Sequence, residues 1–576
     1  MSNRPLMPSE ARPTARNGGG PRPGAHAGRE RYRRARRGLP GLRWIVLASL
    51  LVLTTSSAVG AVWAANADGT SGGPEQLASA TLSPAPTPNT AANNGCAGTN
   101  QQTNLATTWT DSQSATQGAS GGSMITGYTV SRAAASGGPY VTAGTTTGSP
   151  VPTALTDVPP VSNSPVALVV DGTAAGSKSV YPFTESSLTV GAGTTIGTAG
   201  TEVNAIQMTP DGHTAVIAEY TTGQVQVFTW SGSAWTLVKT IALATPTAVA
   251  ISPVPDTSGN YTAYVVSDPG TTVNGSIARI TLNGASSAAG TVFAVQHQAN
   301  PTAAVVTPDG TELYVANYNS GTVSAINTAT SAVVTIALPG TTPNPIALTT
   351  TPDSSHVYVA DRRNSFIDDI SVATNVVSTH VTLAAGGLND AILTGSGNPN
   401  VMAMLPNGLD LYIAEYGTAE VQEVSTALAA TPDTVVASMV TGAGSAPINL
   451  AESPNGCQIF VADWPSNNIF SITTATNAVA TVMTDTCFTQ DPQPMQVTPD
   501  NQYLLMPENY RCGDLQVLNL TTNVVTTSNA VGAYPTMVAI PPVPIWYETT
   551  ATHAQWSSLP STAVMYPVGW NPGGWQ

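Results

Sequence analysis

Residues Pro301–Leu338 read PTAAVVTPDGTELYVANYNSGTVSAINTATSAVVTIAL. Four apolar runs, AAVV, LYVA, VSAI and VVTIAL, are rich in β-branched and aromatic side chains, which suit a pleated, half-buried surface. Between the first two stands Thr307-Pro308-Asp309-Gly310. The proline ring sets φ at the first corner of a turn, Asp tolerates the second, and Gly accepts the positive φ that closes it. Tyr318-Asn319-Ser320-Gly321 supplies another Gly-closed turn between the second and third runs. The stretch therefore predicts four short antiparallel strands in meander order.

The same punctuation recurs along the chain. Prolines at 210, 253, 308, 352, 406, 454 and 499 are spaced by 43, 55, 44, 54, 48 and 45 residues. Each is followed by a second-strand run: AVIAE (215–219), AYVVSD (263–268), LYVAN (313–317), VYVAD (357–361), LYIAE (411–415), IFVAD (459–463) and LLMPE (504–508). One further second strand, ALVVD (167–171), precedes them all, and one further first strand, MVAIPP (537–542), follows. A repeat of this period means stacked supersecondary units, and four-stranded meanders arranged radially make an all-β propeller. The offset lets the last first strand complete the first blade, which removes the open sheet edges that invite aggregation. The count is eight blades if 163–200 is a blade, and seven if that stretch belongs to the module before it. The propeller is placed at 163–547.

TPDGTELYVAN and its relatives resemble the YVTN-type β-propeller repeat of bacterial and archaeal surface proteins and, more distantly, the lactonase-type propellers. The motif is specific for fold and says little about function, because propellers carry unrelated activities.

The segments before the repeats are of different kinds. Residues 1–43 carry eleven Arg and two Glu, a net charge of +9; the rest carries 7 Lys/Arg against 31 Asp/Glu, a net of −24, giving the −15 of the whole. The basic arm, expected to be disordered, stops at WIVLASLLVLTTSSAVGAVWAA, residues 44–65, a charge-free run long enough to span roughly 30 Å of hydrocarbon. The arginines should remain cytoplasmic and all that follows should be outside. The run is either a retained signal anchor with a single transmembrane helix or is cut near Ala67, where Ala65-Asn66-Ala67 has the small-x-small form. This context argues against nucleic acid as the target of the basic arm. Residues 66–95 read as a Pro/Gly/Ser/Thr-rich spacer.

At 96–162, NLATTWTD, ITGYTVSRA and PYVTAGTTT alternate between Gly/Ser-rich turns. Trp109, the strand around Gly127–Arg132 and Gly137–Tyr140 resemble a fibronectin type III module. It is incomplete: its last two strands are either missing or supplied by 163–185. Residues 548–576 form a tail bearing Trp556, Trp570 and Trp575, expected to pack beside the propeller. Four cysteines, Cys96, Cys457, Cys487 and Cys512, match no zinc spacing, and their even number in an exported chain points to disulfides. Cys487 and Cys512 fall in loops of one face of the last blade and are expected to pair. Cys457 falls on the other face, so its partner is expected to be Cys96 or none.

Aligning the repeats picks out one constellation. The residues ending the second strands are Asp171, Glu219, Asp268, Asn317, Asp361, Glu415, Asp463 and Glu508, with Tyr220, Tyr318, Tyr416 and Trp464 following four of them. Superposed blades would set these in an acidic, aromatic ring on one face, suited to calcium, a sugar or a cationic partner. The competing reading is that each carboxylate accepts hydrogen bonds from the turn that follows it. The first strands, which line the channel, contain Glu452 as their single ionisable residue, with Gln207, Asn449 and Gln496 merely polar. A metal-dependent lactonase needs several converging oxygen or nitrogen ligands there. The expectation is a non-catalytic surface protein that binds an extracellular protein or glycan, with no required cofactor. The alternative is a lactonase-like hydrolase acting on a small carbohydrate-derived substrate.

Overall fold

The computed structural model describes residues 178–541 apart from 198–202, 269–273, 298–299, 385, 389–400, 427–432, 443, 465, 485–493, 509–512 and 533–534. It also describes the strands Thr87–Pro88, Leu105–Thr108, Gly127–Ala133, Val141–Thr147, Ala154–Asp157, Val166–Asp171, Val543–His553, Trp556–Ser557 and Val564–Val568. The expected membrane segment at 44–65 lies outside these residues, and no helix among them is long and apolar enough to cross a membrane.

The repeats form an eight-bladed propeller. Blades 2 to 8 are antiparallel meanders of four consecutive strands, beginning at Val203, Pro246, Pro301, Pro345, Met402, Pro447 and Gln496. Blade 1 takes its innermost strand, Pro535–Ala539, from the far end of the repeats and pairs it with Val166–Asp171, so the ring closes as the offset of strands implies. Val166–Asp171 and Lys178–Thr184 thus belong to a blade, which settles the count at eight. The fourth strand of blade 1 is divided: Thr189–Val190 and Thr194–Gly197 both pair with Lys178–Thr184.

The Thr-Pro-Asp turns work through side chains as well as backbone. Thr307 Oγ1 donates to Asp309 Oδ1 at 2.6 Å, and the same oxygen accepts the Thr311 N–H at 3.0 Å. Thr351–Asp353 and Thr498–Asp500 repeat the device at 2.6 and 2.7 Å. Gly310 closes its turn at φ +75°, whereas blades 5 and 8 hold Ser354 and Asn501 in the same region at +62° and +61°.

Between blades the contacts are apolar, with tyrosines adding a polar tie. Ala205, Val216 and Ala218 of blade 2 pack on Val249, Ile251 and Val265 of blade 3. Tyr314, Tyr358 and Tyr412, in the second strands of blades 4 to 6, are fully buried. Their hydroxyls reach Asn375, Asp433 and Asn477 of the next blade at 2.6, 3.4 and 3.0 Å. A buried tyrosine needs such a partner for its O–H, and here that partner is always the neighbouring blade.

The remaining strands form two further sheets. One holds Thr87–Pro88, Leu105–Thr108 and Ala154–Asp157 in that order. In the other, Gly127–Ala133 pairs on one edge with Val141–Thr147 and on the other with Val543–His553, which in turn pairs with Val564–Val568. The C-terminal tail therefore supplies two strands to the sheet that holds Gly127–Ala133. Val166–Asp171 and Lys178–Thr184 lie in blade 1 and supply no strand to this sheet, and the tail, expected to pack beside the propeller, pairs with Gly127–Ala133. The strand Val543–His553 crosses the boundary placed at 547, and Thr87–Pro88 lies within the stretch read as spacer.

No described cysteine is a free thiol, and Cys457 is disulfide-bonded. Cys96, Cys487 and Cys512 lie outside the described residues. Cys457 stands in the turn between first and second strands of blade 7. Non-reducing peptide mapping is expected to return Cys487–Cys512 and Cys96–Cys457. The first would close a loop of about 25 residues, with roughly 3 kcal/mol of chain-entropy stabilisation. A Cys457–Cys487 or Cys457–Cys512 peptide would overturn this pairing.

Candidate functional site

In an antiparallel blade, the link into the first strand and the hairpin between second and third strands share one face. The register agrees: Pro345 pairs with Asp361, Pro447 with Asp463 and Pro535 with Asp171, so these three acidic residues sit beside the start of their blade's first strand. Blade 3 departs from the expected ring. There Pro246 pairs with Ser267, and Asp268 lies one residue beyond the strand. The position equivalent to the other acids is Ser267, since Pro246 pairs with Ser267 as Pro345 pairs with Asp361.

The acidic residues are enclosed. Asp171, Glu219, Asn317, Asp361, Glu415, Asp463 and Glu508 are all buried, none more than 3% exposed. Asp361 Oδ1 accepts the Asn344 N–H at 2.8 Å from the incoming link and the Arg363 N–H at 3.1 Å from the hairpin; Asn364 Nδ2 donates to Oδ2 at 2.5 Å. Asp463 does the same work in blade 7, accepting from Ser445 and Ala446 of the link and from Ser466 of the hairpin. Glu219 and Glu415 accept from Thr222 and Thr418 at 2.6 Å. Asn317 Nδ2 donates to Ser324 Oγ at 2.9 Å. Asp361 and Asp463 thus join the two loops of one face, as expected of buried polar groups that must find partners, whereas Glu219 and Glu415 bond within their own hairpins and each leaves Oε1 without a hydrogen bond.

Glycines in the links pass directly over two of the carboxylates. A Cβ on Gly387 would meet Glu415 Oε2 at 2.6 Å, and one on Gly532, at φ +116°, would collide with the Asp171 carboxylate. Burial raises the pKa of Glu219 and of Glu415 despite the hydroxyl that each accepts from. Among the described residues no group of three or more His, Cys, Asp or Glu is arranged to hold a metal ion.

More accessible on this face are the aromatic side chains. Tyr416 and Trp464, from blades 6 and 7, are half-buried and stack with ring centroids 6.1 Å apart and planes inclined by 27°. Arg362 Nη1 donates to Tyr318 Oη at 3.3 Å. The polar residues of the first strands are used between blades: Gln207 Oε1 accepts the Ile251 N–H at 3.1 Å, and Gln496 Oε1 accepts that of Ile540 at 2.7 Å. Burial pushes the Glu452 carboxyl up to about 8.

Buried carboxyls also fall outside the motifs that the sequence reading used, Asp368 and Glu185 among them. Asp368, in the third strand of blade 5, has neither oxygen hydrogen-bonded and is pushed up to about 8, first by burial and then by the Asp361 charge. Glu185, after the third strand of blade 1, is buried against Asp500 of blade 8. The signal for Asp368 was present in FIDDIS (366–371), where two acids interrupt an otherwise apolar strand.

No family model matches the chain, and no curated protein matches it. Solved structures do. A dihydro-heme d1 dehydrogenase, NirN, aligns with a TM-score of 0.50 at 13% identity over 66% of this chain and 76% of its own. A protein described as a putative 6-phosphogluconolactonase from Bacteroides uniformis aligns at 0.43 and 16% identity over 59% and 99% of the two chains. The periplasmic gluconolactonase PpgL of Pseudomonas aeruginosa aligns at 0.41 and 14% identity over 66% and 99%. At these identities the likeness is one of fold, and the β-propeller is what this chain shares with them.

Proposed function

We propose that this chain is an exported surface protein whose propeller binds an extracellular protein or glycan and carries out no chemistry of its own. The observation that carries the reading is how the polar groups are spent. Gln207 and Gln496 of the first strands and the rim carboxylates Asp361 and Asp463 are committed to hydrogen bonds within the fold, while the Tyr416–Trp464 pair stays half-exposed on the same rim. An aromatic pair of this kind offers apolar faces to sugar rings or to side chains of a partner. In this reading the arm at 1–43 is cytoplasmic and residues 44–65 anchor the protein. The two sheets built from 87–157 and 543–568 are a fibronectin type III-like module, with the propeller inserted between its fifth and sixth strands.

A thermal-shift screen of the full chain against calcium, cell-surface glycans and lactones tests this directly, since a ligand that binds only the folded state raises Tm. A glycan or protein ligand is expected to raise Tm, and Tyr416→Ala with Trp464→Ala should abolish the shift. Calcium is expected to leave Tm unchanged because the carboxylates are enclosed. Lactone turnover that disappears in Glu452→Gln would sink the non-catalytic reading.

A further inference from the structure

The hairpins that follow the second strands of blades 4 to 7 are consecutive around the rim, and their first residues are equivalent. Tyr318, Arg362, Tyr416 and Trp464 each come directly after the enclosed residue that ends the second strand, Asn317, Asp361, Glu415 and Asp463. Three of the four are anchored alike through the backbone. The N–H groups of Tyr318, Arg362 and Trp464 donate to the carbonyls of Asn300, Asn344 and Ala446, ahead of the first strand, at 3.1, 3.0 and 3.2 Å. Asn344 Nδ2 also donates to the Tyr318 carbonyl at 3.0 Å, which ties blade 5 to blade 4 along the rim. The side chains that leave these fixed points are half-buried and meet in two pairs: Tyr416 stacks with Trp464, and Arg362 donates to the Tyr318 hydroxyl.

Beyond residue 43 the chain carries 7 Lys/Arg against 31 Asp/Glu, yet the accessible charge on this stretch of rim has the opposite sign. Asp361, Glu415 and Asp463 are enclosed. Among the described residues of these hairpins, Arg362 and the exposed Arg363 stand against one accessible carboxylate, the half-buried Glu420 that opens the third strand of blade 6. The links into blades 5 and 7, at 338–344 and 441–446, carry no charge. An arginine already held by a neighbour has less freedom to lose on binding, and its planar fork matches a carboxylate with two parallel N–H donors. Aromatic rings beside it offer apolar faces, on which the C–H face of a pyranose can lie.

We propose that the rim of blades 4 to 7 takes an anionic polysaccharide built of uronic-acid residues. Pyranose faces rest on Tyr416 and Trp464, and a sugar carboxylate is held by Arg362, with Arg363 as the second positive charge. This rests on the reading of the propeller as a binding platform and narrows it to one ligand class. A neutral glycan would engage only the aromatic pair, and an acidic peptide chiefly the arginines. A uronate chain engages both in one molecule, across consecutive blades. Hydrogen bonds between arginine and carboxylate are of the strong, charge-assisted kind, so the charge on the sugar should set the affinity.

Surface plasmon resonance on the immobilised full chain, with a chelator present, compares three polymers: polygalacturonate, the same polymer with its carboxyls methyl-esterified, and polyglutamate. Polygalacturonate is expected to bind, and esterification should weaken binding by about tenfold or more, what one charge-assisted hydrogen bond is worth. Added salt should weaken the uronate and spare its ester. This comparison needs no variant. Arg362→Gln with Arg363→Gln should then bring the two polymers to equal affinity, whereas Tyr416→Ala should weaken both. Equal binding of uronate and ester by the parent protein overturns this inference and leaves the platform reading standing. Polyglutamate binding as tightly as the uronate, and indifferent to Tyr416→Ala, overturns it in favour of an acidic protein partner. Failure of all three polymers overturns it as well, while the platform reading stands or falls on the thermal-shift screen.

Discussion

A chain ended after residue 534 should fail to fold cooperatively, whereas one ended after residue 541 should keep a propeller that melts within a few degrees of the parent. The difference is the strand Pro535–Ala539. Met537, Val538 and Ala539 are at most 2% exposed, and the strand pairs with Leu168–Asp171 of blade 1. Burying the Met and Val side chains is worth roughly 1.5–3 kcal/mol each. Losing the strand also strips the ladder from Val166–Asp171 and opens the ring beside blade 2. Set against a total stability of about 5–15 kcal/mol for an ordinary domain, that loss is close to complete.

The chain ended at 541 loses something else. Without Val543–His553 and Val564–Val568, the strand Gly127–Ala133 has one bare edge, and Tyr128 and Val130, 2% and 0% exposed in the intact chain, lose much of their cover. Limited proteolysis should then cut within 127–147 while the propeller resists. Calorimetry of the two truncated chains, side by side, decides the matter. If both melt like the parent, the ring is not closed by the strand from the far end.

The second large effect is on pH dependence, through Asp368. Its carboxyl is fully buried, has no hydrogen-bond partner and lies against the charge of Asp361. Its pKa is about 8 in the folded protein, against about 3.9 for an unfolded chain. The sign follows from linkage: the folded state holds a proton that the unfolded state has released, so stability is complete below about pH 4 and falls as pH rises toward and through 8. The loss by pH 9 is on the order of several kcal/mol. Asp368→Asn should remove this part of the slope and raise Tm at pH 9 relative to the parent, with little change at pH 4. An amide there can donate to Asp361 much as Asn317 donates to Ser324 at the equivalent pair of positions in blade 4. Thermal melts of both proteins from pH 4 to 9 check it; parallel curves would mean that Asp368 is already ionised in the fold.

Much of the propeller was legible from local chemistry. Thr-Pro-Asp-Gly specifies its turn within four residues, and the β-branched runs around it need no distant partner to be recognised as strands. The period and the offset between first and second strands then implied a closed ring. Blade 3 shows the limit of this reasoning. AYVVSD ends in an acid like the other second strands, yet Pro246 pairs with Ser267, so Ser267 occupies the ring position and Asp268 lies one residue beyond the strand. A slip of one residue changes which side chain faces the core, and a single strand gives no sign of it.

The module around the propeller was half legible for a related reason. Its strands are separated by the whole propeller, with Ala133 paired to Trp546, and a pairing across such a distance leaves no mark on local spacing. The acidic ring was found by alignment, but the sequence alone left two readings of its role open. The alternation of residues placed the carboxylates on one rim. Whether they met solvent, a cation or a backbone N–H depended on where the incoming links ran. Gly387 and Gly532 carry those links over Glu415 and Asp171, while Asn344 and Ser445 bring donors to Asp361 and Asp463. Turn chemistry and strand period are properties of neighbouring residues, so the sequence by itself determined the blades and their number of strands. Burial, charge environment and the closing pairs are properties of groups brought together from distant parts of the chain, and only the tertiary structure decided them.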